Sequence, residues 1–335
     1  MELGRTFRPI KRSFRGENMD VNKYVPKFKI KAKDLLHIAD LSTEEIFELL
    51  YAAKAMKKKH KVGEAMTALR GKTVGLLFGN VSTRTRVSFE IGIRQMGGDY
   101  IFLPKSETQL SRGESVKDTA VMLGRFGISA LVLRGFTDTE IEEFASHCEI
   151  PVINGISGTS HPLQVLSDLF TIWEKKGKLS DLKIAYIGDG NNVANSLIIG
   201  CTKCGMNVAV ASPGGYIPER SIVERGMQFG DVLITNDIAE AVKGADIVYT
   251  DVFISMSEEN DDEKKAKLAK YRVTPEVMAL AKEDALFMHC MPVHRGEEVA
   301  AEVVDGPQSV VYDQAENRLH LNKAALTLLI LNENK

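Results

Sequence analysis

Thr73-Val74-Gly75-Leu76-Leu77-Phe78-Gly79-Asn80-Val81-Ser82-Thr83-Arg84-Thr85-Arg86 carries an apolar run through a polar turn into a helical pattern over 83–97. The run lacks the apolar/polar alternation of a strand with one wet face, so it predicts a strand buried on both faces, as in a parallel sheet. The same unit recurs on either side. Runs at 100–103, 130–133 and 151–153 read as buried strands, with helical patterns at 115–126 and 138–147 between them. Upstream, Ser42 stands three residues before Glu45 with Leu41 ahead, a capping-box signature, and Ile46, Leu49, Leu50, Ala53 and Met56 mark a buried helical stripe. Downstream the series restarts at 183–187, 207–211, 231–235, 246–250, 285–288 and 309–311. Such alternation predicts an α/β chain of two doubly wound domains, each a mainly parallel sheet with helices on both faces. The helix that begins at His161 joins them, and a last helix at about 315–330 returns to the first domain. The domains are then 35–155 with 315–335, and 156–314. Residues 1–34 read as a basic N-terminal extension.

Composition narrows the function. The 335 residues hold 43 Lys and Arg against 45 Asp and Glu, a formal charge of −2 that disfavours a nucleic-acid or membrane-surface binder. Four cysteines, Cys148, Cys201, Cys204 and Cys290, are too few for a disulfide scaffold and suit a reducing compartment. No apolar run approaches the roughly 20 residues that span a bilayer. A soluble, cytoplasmic protein is expected. The opening sixteen residues, with Arg5, Arg8, Lys11, Arg12 and Arg15 against Glu2, read as a disordered arm rather than a targeting segment.

In open α/β sheets ligands collect beyond the carboxyl ends of the strands, so the residues after each run carry the chemistry. After Phe78, three hydroxyls and two guanidiniums at a helix start suit a phosphate, although no Walker loop is present. Arg134 follows the run at 130–133, where a guanidinium on the buried side favours an anion partner. Arg125, in the helix before it, suits a solvated face. His161-Pro162-Leu163-Gln164 opens a helix and places imidazole and carboxamide where they can polarise a carbonyl oxygen. Gly188-Asp189-Gly190-Asn191-Asn192-Val193 fails the dinucleotide fingerprint because Val193 fills its third glycine position, which argues against a nicotinamide cofactor. Asp251 offers a carboxylate for an ammonium group. Cys290, in His289-Cys290-Met291-Pro292, suits a nucleophile, a metal ligand or a core thiol, and the metal reading is the weakest since Cys201 and Cys204 have no second pair.

Together, Ser82-Thr83-Arg84-Thr85-Arg86, His161-Pro162-x-Gln164, Asp251-x-x-x-Ser255-Met256, His289-Cys290-Met291-Pro292 and Ala315-Glu316-Asn317-Arg318 resemble the ordered motif set of the aspartate/ornithine carbamoyltransferase family, in its ornithine branch, over residues 35–331. The resemblance implies a carbamoyl-phosphate domain, an ornithine domain, transfer of a carbamoyl group to the δ-amine of ornithine to give citrulline and phosphate, and no metal or organic cofactor. It implies a homotrimer or a multiple of trimers. Carried over by position, Ser82, Thr83, Arg84 and Thr85 would hold the phosphate. Arg134, His161 and Gln164 would contact the carbamoyl group, with Arg318 orienting it and Gln109 reaching it from a neighbouring subunit. Asn192, Asp251, Ser255 and Met256 would hold the α-groups of ornithine. Cys290 and the backbone at Met291 would lie beside the δ-amine and the carbamoyl group, leaving Arg134, His161 and Cys290 as the catalytic set. Ser257 stands where the family usually has Gly, and Met291 replaces the usual Leu. Two alternatives stay open: a carbamoyltransferase for another amine such as putrescine, and a non-catalytic member that only binds the phosphate ligand.

Overall fold

The computed structural model describes residues 19–254 and 261–332. The chain divides into two compact units, one of Val25–Phe170 with the chain from Glu316, the other of Thr171–Ala315 with the residues up to Tyr24.

The first unit runs α1 (Thr43–Lys61), β1 (Thr73–Phe78), α2 (Thr83–Gln95), β2 (Asp99–Pro104), α3 (Val116–Arg125), β3 (Ala130–Arg134), α4 (Asp138–His147), β4 (Val152–Ile156) and the start of α5 (Pro162–Lys176). Its four strands are parallel in the order β2-β1-β3-β4. Val74 to Phe78 and all of β3 are buried, as runs without alternation require. β2 departs from the buried reading: it is an edge strand that leaves Asp99 and Ile101 exposed. Leu77, Leu131, Leu133 and Val152 pack against Leu123, Ile141 and Phe144 from α3 and α4. Ser42 caps α1 with the predicted reciprocal bonds to Glu45.

The second unit continues with β5 (Lys183–Ile187), α6 (Asn192–Lys203), β6 (Asn207–Ala211), α7 (Arg220–Gly226), β7 (Val232–Thr235), α8 (Ile238–Val242), β8 (Ile247–Thr250), α9 (Asp262–Leu268), α10 (Pro275–Met278), β9 (Leu286–His289), α11 (Ala301–Val304) and α12 (Val311–Ile330). Its five strands are parallel, ordered β7-β6-β5-β8-β9. The expected strand at 309–311 does not form. Ser309 makes one isolated bridge to Phe287, Val310 N–H bonds the Phe287 carbonyl, and Val311 already begins α12. That helix therefore starts four residues before Ala315, and from Glu316 onward it belongs to the first unit.

Of the basic stretch before residue 35, the first eighteen residues lie outside the described residues, while Val21 and Ile30 are buried. Lys27 and Phe28 N–H groups donate to the Glu48 carboxylate. Asn22 donates to the Gly177 carbonyl and accepts from the Trp173 indole.

In the first unit, Lys323 of α12 is wholly buried and its Nζ has no hydrogen-bond partner. Its stem lies over Gly92, where an added Cβ would come within 3.4 Å of Lys323 Cγ. Burial pulls its pKa down to about 8. The unfolded chain, near the ordinary value of about 10.4, then binds more protons between the two values, so this group's cost to stability is full below pH 8 and fades as pH rises to about 10.4. The melting temperature of the parent chain is expected to rise between pH 7.5 and 9.5, and Lys323→Met to flatten that rise. Parallel slopes would contradict this.

Candidate active site

Each sheet reverses its winding once, at β1/β3 in the first unit and β5/β8 in the second; Ser82 to Thr85, Arg134, Asn192 and Asp251 end or follow the strands that flank these points, while His161 follows β4, Cys290 follows β9 and Arg318 lies on α12.

In the first unit the chain leaves β1 through Gly79, whose N–H donates to the Arg134 carbonyl at 2.7 Å. A Cβ there would lie 2.6 Å from the Gly135 carbonyl, and Gly135 adopts φ +73°. Only glycines let the two turns approach this closely. Ser82 then caps α2, its hydroxyl accepting from Thr85 N–H. Thr85 is fully buried and its Oγ1 accepts from Arg134 Nη1 at 3.1 Å and from Arg318 Nη2 at 2.8 Å. Two guanidiniums, 8% and 5% exposed, thus converge on one neutral hydroxyl. Like charges brought together away from water favour an anion between them. Their effect reaches His161, also buried, whose pKa lies well below the ordinary value because of burial first and the charges of Arg318 and Arg134 next. Its imidazole is therefore neutral and offers one N–H and one lone pair. Gln164 donates through Nε2 to Asp168 at 2.8 Å, leaving its Oε1 a buried acceptor with no donor.

The remaining predicted residues of this unit sit further out. Arg84 is half-buried and Thr83 exposed. Arg86 pairs with Glu90 at 2.7 Å and stacks on Phe102, so it does not join the cluster. Gln109 is exposed, on a short 3-10 turn beyond β2, and Arg125 is exposed as expected.

In the second unit the turn after β5 holds Asn191, which caps α6 by accepting from Val193 and Ala194 N–H groups. Its Nδ2 donates to Asp251 Oδ2 at 2.8 Å. Cys290, after β9, donates its thiol to Asp251 Oδ1 at 2.9 Å. Asp251 is buried, and Asn192 is half-buried in the same turn. The Tyr186 hydroxyl donates to Asn191 Oδ1 at 3.3 Å, and its pKa is pushed well up by burial, then by Asp251, Asp189 and Cys290. Met291 adopts φ +59°, and its N–H is taken by His289 Nδ1 at 2.9 Å, so its carbonyl is the backbone group left for a ligand. His289 Nε2 faces the buried Glu298 carboxylate at 3.2 Å, and Gln314 accepts from His289 N–H. Ser255 and Met256 lie outside the described residues.

Reading the sequence offers both asparagines for a small polar ligand and gives a role to Asn192, whereas Asn191 is the residue that touches Asp251. The signal was present: an Asn directly before a helix start is a capping position. Tyr186, Gln314 and Glu298 were missed because they act from a strand interior, a helix and a loop far along the chain. Donor atoms of Asp251, His289 and Cys290 come within 4.8 Å of one another, a spacing a metal ion could use, but Cys290 already donates to Asp251 and His289 Nδ1 already accepts from Met291 N–H.

Among the described residues no helix is long and apolar enough to cross a membrane. Residues 33–174 match the aspartate/ornithine carbamoyltransferase carbamoyl-P binding domain, and residues 180–329 match the Asp/Orn binding domain of the same family. The ornithine carbamoyltransferase of Caldicellulosiruptor saccharolyticus is 47% identical over 305 residues, 89% of this chain and 99% of that protein. The solved structure of ornithine carbamoyltransferase from Pyrococcus furiosus is 44% identical, with a TM-score of 0.85 over 89% of this chain and 96% of that one. That from Thermus thermophilus is 36% identical, with a TM-score of 0.83 over 90% and 100%. With two domain matches covering most of its length and relatives this similar end to end, the chain belongs to the aspartate/ornithine carbamoyltransferase family.

Proposed function

We propose that this chain transfers the carbamoyl group of carbamoyl phosphate to the δ-amine of L-ornithine, giving L-citrulline and phosphate. The observation that carries the reading is a division of charge: buried Arg134 and Arg318 meet on Thr85 in one unit, and buried Asp251 meets Asn191 and Cys290 in the other. The first set suits a small phosphorylated acyl donor, the second an ammonium beside a nucleophilic amine. Ser82, Thr83, Arg84, Thr85 and Arg318 are assigned to the phosphate. Arg134, neutral His161 and Thr85 polarise the carbamoyl oxygen, and Gln164 Oε1 accepts from its NH2. Cys290 and the Met291 carbonyl orient the δ-amine, while Asn192 and Asp251, with Ser255 and Met256, hold the α-groups.

The δ-ammonium has no lone pair and loses one proton to water before attack. The neutral amine then forms the C–N bond as the carbonyl electron pair moves onto oxygen, where donors placed in advance stabilise the growing charge. Collapse restores the carbonyl and breaks the bond from the carbamoyl carbon to the bridging oxygen, which leaves with the phosphate. The departing phosphate takes the second amine proton.

The relatives named ornithine carbamoyltransferase support this acceptor, and so does Asp251, since a diamine lacks the α-ammonium and α-carboxylate pair. Assembly as a trimer is part of the proposal. The free edge of β2 and the neighbouring α2 expose Ile101, Val87 and Ile91, and Gln109 faces solvent beyond them. The test is a ureido-product colour assay on purified protein with carbamoyl phosphate, with ornithine and putrescine in separate reactions. Strong turnover with ornithine alone is expected; a preference for putrescine, or silence with both, would overturn the reading.

A further inference from the structure

The turn that carries Asn191 holds a second carboxylate that the mechanism leaves unused. Asp189 follows β5 by two residues, and its Oδ2 lies 2.8 Å from Lys264 Nζ of α9, with both side chains largely out of water. The surroundings hold this pair in place. Gly190 N–H donates to the Tyr216 carbonyl at 2.7 Å, and a Cβ on Gly190 would meet the Pro218 nitrogen at 2.2 Å. The Tyr216 ring lies beneath the Lys264 ammonium at 5.7 Å. The turn cannot drift from α9 without breaking these contacts.

A buried ion pair is a weak stabiliser, because desolvating both ions offsets their attraction. Its consequence here is electrostatic. Asp189 stands two residues before Asn191 in the same turn, and Asn191 Nδ2 bonds Asp251 at 2.8 Å, so the two carboxylates belong to one neighbourhood. Uncompensated, they would present two negative charges to whatever binds beside Asn191. Lys264 cancels one and leaves Asp251 to act as a single charge.

We propose that Lys264, by neutralising Asp189, is a specificity-determining residue that tunes the second unit for a ligand with one ammonium and an adjacent carboxylate, against diamines. This deepens the acceptor assignment and rests on it. An extra negative charge would draw in a diamine, which carries two positive charges, more than ornithine, which carries one in net and whose carboxylate it would repel. The lysine touches neither substrate in this account and acts through the charge of Asp189.

The test compares kcat/KM for ornithine with that for putrescine in four variants. Lys264→Met, which exposes the Asp189 charge, is expected to lower the ornithine/putrescine ratio about tenfold. Asp189→Asn, which leaves Lys264 positive, is expected to move the ratio the other way. Asp189→Asn with Lys264→Met together, and Lys264→Arg alone, are expected to return it to within about threefold of the parent chain, an allowance of under 1 kcal/mol. Damage to packing alone would move both single variants in the same direction and leave the double variant no better. That pattern, or an unchanged ratio throughout, overturns the proposal. If Lys264→Met fails to fold because Asp189 is left buried and unpaired, the opposite shift in Asp189→Asn and the restored ratio in the double variant still decide it. A parent chain inactive with ornithine would instead overturn the acceptor assignment itself.

Discussion

Arg134→Ala is expected to lower kcat/KM for carbamoyl phosphate about 1,000-fold, within the range found when one pre-placed donor to a developing oxyanion is removed. The side chain ends β3 and is buried with its Nη1 on Thr85 Oγ1. The fold should survive, because the substitution removes one of two like charges buried on the same hydroxyl. A melting temperature equal to or above that of the parent chain checks this. A second readout comes from His161. With one of the two charges that depress it gone, its pKa should move upward, visible as a histidine resonance titrating at higher pH. Activity within threefold of the parent chain would remove Arg134 from the donor set.

Asp251→Asn is expected to raise the KM for ornithine about 100-fold while the KM for carbamoyl phosphate stays within twofold, as loss of a charge-assisted bond to an ammonium implies. The amide still has an oxygen to accept from Asn191 Nδ2, so the local geometry has a route to survive. The thiol of Cys290 loses its carboxylate acceptor, and kcat should fall as well. Titration of the variant with carbamoyl phosphate in a calorimeter separates the two halves. Unchanged donor binding with weak ornithine binding is expected, and equal loss of both would show that Asp251 supports the fold rather than the acceptor.

The sheets were legible because buried parallel strands announce themselves as short unbroken apolar runs, as at 73–78, 183–187 and 207–211, where the reading and the structure share both ends. The reading at 309–311 failed for a physical reason. Val310 and Val311 have the β-branched bulk of a strand, but Val310 bonds the Phe287 carbonyl once and the chain turns into α12. Period cannot separate three residues of strand from the first turn of a helix.

For the candidate site, the residue types after each strand pointed to anion and ammonium chemistry, while the contacts among them did not. Nothing in Ala315-Glu316-Asn317-Arg318 by itself places Arg318 on Thr85, 233 positions away. The lowered pKa of His161 follows from burial first and then from two guanidiniums, both of which only the fold supplies. Asn191, Glu298 and Lys264 act through other side chains, and pattern reading favours groups that would touch a ligand directly.

The central claim concerns which bond forms. Carbamoyl phosphate carrying ¹³C at its carbonyl carbon, mixed with the protein and ¹⁵N-δ-labelled ornithine, should give a product whose carbon resonance is split by the δ-nitrogen, with one phosphate released per citrulline. Label appearing on the α-nitrogen, or phosphate released with the label lost to carbamate hydrolysis, would contradict the account.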